Sequence, residues 1–205
     1  MPAMILRDWA LAASQMLDPR IGGQPVYPYQ PDAIWESLAI TKERDFTYPI
    51  SKSSDLFRRS LYTFWRRTVG PANMFDASNR QACRVKMSQT STPLHALTTL
   101  NDPTWVEASR NLAQLAMQET QDAKEQLQFV SRRVLARSLS DQEIEIMRKA
   151  LAKQQDLFRL DRDSALSLLA TGESKPNAEL DPIELAALSN VCLTMMNLDE
   201  ALCRE

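Results

Sequence analysis

The sequence predicts a mainly α-helical protein: an irregular multi-helix bundle interrupted by one long non-helical loop at about 70–91. Three observations carry this expectation. Only 4 of the 205 residues are glycine, a residue that weakens helix interiors. The 11 prolines fall mostly at helix starts or in loops. From Thr92 onward, apolar residues recur at spacings of three and four between capping residues. The apolar share of 44% and charged share of 24% are ordinary for a globular chain, so the length suffices for one domain with its own core. Residues 1–205 read as a single domain, with an irregular N-terminal part at 1–52 and a helical core at 53–205.

The elements follow in order. "AMILRDWALAASQML", residues 3–17, is amphipathic. Ile5, Leu6, Trp9, Ala12, Ala13, Met16 and Leu17 share an arc, with Arg7, Asp8, Ser14 and Gln15 opposite. "DPRIGGQPVYPYQP", residues 18–31, is punctuated by proline and glycine and reads as irregular chain, with Tyr27 and Tyr29 packed on the domain surface. Pro31 opens a short helix through Leu38, and 41–53 is a polar loop. Phe57, Leu61, Phe64 and Thr68 then fall on one face of a predicted helix, with Arg59 and Arg66 opposite, Tyr62 between them, and Arg58 and Arg67 on the flanks. Gly70 and Pro71 end it. In the loop that follows, "CRVKMS" alternates in polarity and suits a short extended segment.

Thr92 and Pro93 start a helix through Leu100. Asp102 caps the next, whose inner face is Trp105, Ala108, Ser109, Leu112, Ala113 and Ala116. Leu127, Val130 and Val134 mark a helix near 121–137. Ser140 and Glu143 have capping-box spacing ahead of a stripe of Ile144, Met147, Leu151 and Phe158. "DSALSLLATG" is a short helix stopped by Gly172, and Asp181 restarts a helix to about Met196.

Composition excludes several functions. A net charge of −2 gives no general attraction to nucleic acid. No apolar run reaches membrane-spanning length, and the chain begins with no signal peptide. His95 is the only histidine, which excludes a histidine-based triad or a multi-histidine metal site within the chain, and no metal site is expected. Cys83, Cys192 and Cys203 form no CxxC or CxxCH, so the chain has no c-type haem attachment of its own. The remaining candidate is an anion site. Arginine forks suit carboxylate, sulfate or phosphate, and aromatic neighbours hold them in place. Arg58, Arg59, Tyr62, Arg66 and Arg67 on the predicted helix, with Asp76, Arg80 and Arg84 from the loop, would line one recess if helix and loop fold together. Arginines paired with nearby acids, bracing the loop, are the plainer alternative.

Several long motifs resemble one family. "DLFRRSLYTFWRRT", "FDASNRQACRV", "TSTPLHALTTLNDPTWVEASRNLA" and, near the end, "GES" with "LDPIELAALSNVCLTMMNLDEALCRE" are similar to the planctomycete-type domain of unknown function 1553, in order from about Ile5 to Glu205. His95 stands where the family usually has glutamine. The resemblance implies the C-terminal portion of a larger exported protein, periplasmic or extracellular. It implies upstream domains of that protein as partners, a c-type haem in one of them, and a link to polysaccharide breakdown. The resulting expectation is a scaffold or ligand-site module. The alternative is part of an enzyme acting on acidic or sulfated polysaccharides, with Asp76 or a carboxylate from the upstream part of the domain in acid–base work and an acidic glycan as partner. The family supplies no catalytic residues.

Overall fold

A computed structural model describes residues 1–31, 48–65, 70, 74–75 and 92–203. Among the described residues the chain forms eight α-helices: α1 (Ala3–Ala13), α2 (Pro93–Asn101), α3 (Pro103–Glu119), α4 (Ala123–Val134), α5 (Asp141–Leu160), α6 (Arg162–Leu169), α7 (Pro182–Met196) and α8 (Asp199–Leu202). Two 3₁₀ turns, Ser53–Phe57 and Ser60–Tyr62, lie between α1 and α2. The predicted helix at 31–38 beyond Pro31, the "CRVKMS" segment, Cys83 and all of the 70–91 loop except Gly70, Met74 and Phe75 lie outside the described residues.

The core is a pair of helices, α3 and α7, with α1 and α4 against α3, and α5 and α6 against α7. α7 is apolar on every side, and Leu185, Leu188, Val191, Cys192, Met195 and Met196 are all buried. Its one buried hydroxyl, Ser189, donates to the Leu185 carbonyl at 2.6 Å. Burial also pushes the Cys192 thiol well above its ordinary pKa, as a packed rather than reactive sulfur. α7 ends at Asn197, so Cys192 and the exposed Cys203 belong to separate helical segments and both are free.

Local signals set the helix ends. Asp102 accepts from Thr104 N at 2.9 Å, and Asp181 accepts from Ile183 N at 2.9 Å and Glu184 N at 3.0 Å. Ser140 and Glu143 form the expected reciprocal capping box. α6 is capped by Asp161, two residues before the predicted start, and Gly172 follows its end at φ 90°.

Two predicted helices come out differently. α1 stops at Ala13 because Gln15 turns to φ 59° and Met16 N and Leu17 N both bond back to the Leu11 carbonyl, at 2.8 and 3.1 Å. Its buried face holds Ala3, Leu6, Arg7, Ala10, Leu11 and Ala13, while Ile5 is exposed. The expected arc therefore sat wrongly: Arg7 and Ser14 lie inside. Side chains from neighbouring helices complete the α1 C-terminus. Asn111 donates to the Ser14 carbonyl at 2.6 Å, and Arg133 to the Ala13 carbonyl at 2.9 Å.

The arginine-bearing helix predicted across 57–68 is not formed over its described part. Residues 53–63 are two 3₁₀ turns joined by extended residues. The carbonyls a helix would pair internally are taken by distant donors. Arg7 takes those of Leu56 and Arg58, Asp18 N that of Phe57 at 2.9 Å, and Val26 N that of Tyr62 at 2.9 Å. Ser60 N donates to Asp8 at 2.7 Å. Leu61, expected in the core, is 65% exposed, and Leu56, Arg58, Ser60 and Thr63 are buried instead.

Candidate functional site

Arg7 is the anchor of this irregular layer. Its fork donates to the Leu56 carbonyl at 2.6 Å, the Arg58 carbonyl at 2.9 Å and Ser60 Oγ at 3.2 Å. Burial pulls its pKa down, and Asp8, 3.9 Å away, opposes that pull. A guanidinium stays charged at any ordinary pH, so three acceptors hold a buried cation in place.

Arg58 repeats the device one layer further out. Its guanidinium lies 4.0 Å over the Tyr62 ring and donates to the carbonyls of Arg20, Gly22 and Gln24. The same loop is held by Tyr62, whose hydroxyl accepts from Gly22 N at 2.8 Å. Gly22 and Gly23 sit at φ 82° and 91°, where residues with a Cβ are strained. A cleft of about 440 Å³ lies between this loop, Asp55 and Arg58. Arg20 bridges its rim to Asp18 at 2.7 Å and Asp55 at 2.6 Å.

Of the predicted anion-binding residues, the structure brings Arg58 and Tyr62 together and leaves Arg59 exposed. Arg66, Arg67, Asp76, Arg80 and Arg84 lie outside the described residues. The Arg58 fork already faces three backbone oxygens, which is the geometry of a clamp on its own chain. His95 stacks on Phe75 with ring centroids 3.9 Å apart.

A second polar constellation is built on α3, and the sequence pattern did not single it out. Glu107 is fully buried on α3. Its Oε1 accepts from Ser174 N at 2.6 Å and lies 3.6 Å from Arg110, and its Oε2 accepts from the Tyr29 hydroxyl at 3.0 Å. Arg110, 1% exposed, donates to the carbonyls of Leu169, Thr171 and Ser174 and to Ser174 Oγ. Burial lowers its pKa and Glu107 opposes the shift. Burial, with Glu107 adding to it, raises the Tyr29 hydroxyl, so Tyr29 remains a proton donor to the carboxylate. Gly172 is required here, since at φ 90° an added Cβ would collide with the Glu107 carboxylate. Gln114, two turns along α3, accepts from Asn177 N at 2.6 Å.

Glu107, Arg110 and Gln114 thus form a polar stripe at i, i+3 and i+7 that fixes the backbone of the loop between α6 and α7. That loop is one wall of a cavity of about 500 Å³ whose floor includes Leu169 and Leu185. Tyr29, expected on the surface, is half-buried against the stripe. The available signal was the "GES" motif together with two charged residues inside an otherwise apolar helix pattern, and an i, i+3 pair of that kind reads as a solvated face.

Among the described residues no cluster of histidine, cysteine and carboxylates could hold a metal ion. No described helix is long and apolar enough to cross a membrane. Comparison with curated proteins and with solved structures found no match. Residues 1–151 match the family described as PSD1, protein of unknown function (DUF1553), a match that takes in α1 to α4, about half of α5 and the whole arginine-bearing segment but not the loop around Gly172. The chain belongs to that family.

Proposed function

We propose that this chain is a scaffold module of a larger exported protein, in which a helical bundle holds an irregular arginine-bearing layer in a fixed shape for neighbouring domains. One observation carries the reading. The buried guanidinium of Arg58 donates to main-chain carbonyls of the 20–24 loop, and that of Arg7 to those of Leu56 and Arg58. A fork whose terminal nitrogens are occupied in this way organises backbone rather than presenting a free bidentate edge to a sulfate or carboxylate. The exported setting, the haem-carrying neighbour and the upstream domains as partners come from the family resemblance, and the scaffold reading gives them a surface to meet.

The alternative, a part of an enzyme acting on acidic or sulfated polysaccharides, draws on Arg59, whose side chain is exposed beside the clamp. One experiment separates the two. Binding of a sulfated and a uronic polysaccharide is measured for the intact chain, Arg58→Ala and Arg59→Ala, alongside thermal stability. The scaffold reading expects Arg58→Ala to lower stability and neither variant to change glycan binding. A tenfold loss of glycan affinity in Arg59→Ala at unchanged stability would overturn it in favour of the glycan site.

A further inference from the structure

The arginine-bearing segment is held by Arg7 of α1 and the cavity wall by side chains of α3, yet one short stretch touches both. Val26 pairs with the segment: its N–H donates to the Tyr62 carbonyl at 2.9 Å, and its carbonyl accepts from Phe64 N at 2.8 Å. Tyr27 stacks on Phe64 with centroids 4.9 Å apart. Three residues after Val26, the Tyr29 hydroxyl donates to Glu107 Oε2 at 3.0 Å and accepts from Glu173 N at 2.7 Å. The other oxygen of the same carboxylate accepts from Ser174 N. Hydrogen bonds at each end and the covalent chain from Val26 to Tyr29 therefore connect residues 62–64 to the wall at 173–174.

We propose that residues 26–29 are a strap that couples the arginine-bearing segment to the wall of the cavity between α6 and α7, with the Tyr29 hydroxyl as its latch and Glu107 as the positioning residue between them. The wall has no helix or strand ladder of its own, so its shape depends on side chains that reach it from α3 and from the strap. Loss of the hydroxyl takes a donor from Glu107 and an acceptor from Glu173 N at once. Anything that displaces residues 58–64 shifts Val26 and Tyr29 with them and loosens the wall. By reciprocity, whatever fixes the wall steadies the arginine-bearing segment. This coupling holds whether or not the module acts as the scaffold proposed above.

Amide hydrogen exchange on the intact chain tests it, comparing Tyr29→Phe, Arg58→Ala and the double variant. Tyr29→Phe keeps the ring and should speed exchange of the Glu173 and Ser174 amides about tenfold, the change that loss of one ordinary hydrogen bond produces, while α3 and α7 amides keep their protection. Arg58→Ala, some distance from the wall, should also speed exchange there, and this effect should vanish in the Tyr29→Phe background. Arg58→Lys, which keeps the charge and loses the fork, is the milder substitution if alanine unfolds the chain. Unchanged exchange at 173–174 in Tyr29→Phe overturns the latch. An Arg58 effect on the wall that persists without the hydroxyl overturns the strap.

Discussion

The helical half, residues 92–203, and the irregular layer, residues 14–31 and 48–63, satisfy their backbones in opposite ways. In the helical half, hydrogen-bond partners sit three or four residues apart, and the starts of α3, α5 and α7 are closed by the nearby caps Asp102, Ser140 and Asp181. In the layer, partners are remote: Arg7 and the Leu56 carbonyl are 49 residues apart, and Arg58 and the Gly22 carbonyl 36. The layer has almost no regular structure, so its carbonyls need donors from elsewhere, and arginine supplies several from one planar group. The α6–α7 loop belongs to the helical half by sequence but follows the rule of the layer, with Arg110 on its Thr171 and Ser174 carbonyls and on that of Leu169 at the end of α6. Irregular backbone held by a buried arginine is thus a recurring device of this molecule, used at Leu56–Arg58, at Arg20–Gln24 and at Leu169–Ser174.

That contrast can be broken by substitution, beginning with the largest effect. Arg110→Ala leaves Glu107 buried without its cation, and Glu107→Ala leaves Arg110 without its acid. Each should lower stability by about 3–5 kcal/mol, read as a shift in the urea midpoint. A loss as small as that of a surface pair would remove this stripe from the device. Gly172→Ala should follow at about 1–3 kcal/mol, because φ 90° is strained for alanine and the methyl meets Glu107. Arg58→Ala should cost about 1–3 kcal/mol by leaving three carbonyls without their donor, whereas the exposed Arg59→Ala should stay within about 0.5 kcal/mol. Equal effects at the two neighbours would erase the distinction between clamp and surface. In the helical half, Ser140→Ala should cost about 1 kcal/mol, the ordinary worth of a cap, with the loss confined to the first turn of α5.

The smallest effect is electrostatic. Arg137, with Ser140 adding to it, holds the Glu143 carboxyl at about 2 against an ordinary 4.5. Because the folded value is depressed, the stabilisation is complete above about pH 4.5 and fades as pH falls towards 2. Melting temperature measured from pH 6 to pH 2 should show the gap between the native chain and Arg137→Gln closing over that window. A gap that stays constant would mean that Arg137 acts through packing, because the Glu200 carboxyl, which Arg137 also lowers, would lose its contribution on acidification in the same way.

The helical half was legible because its signals are short-ranged. Asp102-Pro103, Ser140 to Glu143 and Asp181-Pro182 announce helix starts within four residues, and the stripe of Ile144, Leu151 and Phe158 is buried as its spacing requires. The candidate site was less legible. "RRSLYTFWRRT" carries a helical period, yet its described part is 3₁₀ and extended. Period reports which side chains could share a face, not which carbonyls already have partners. Arg7 was misplaced for a related reason, since a charged residue in an amphipathic pattern reads as exposed unless its acceptors are known.

The sequence by itself carried the family in its long motifs, and it determined the mainly helical class and the starts of α3, α5 and α7, because propensity, capping and apolar spacing act over one or two turns. Only the tertiary structure decided that Arg7, Arg58 and Arg110 turn inward onto main-chain oxygens and that Tyr29 reaches Glu107. Those choices depend on groups brought together from 34 to 78 residues apart, where the low polarity of the interior makes an unpaired carbonyl or carboxylate more costly than a broken helix.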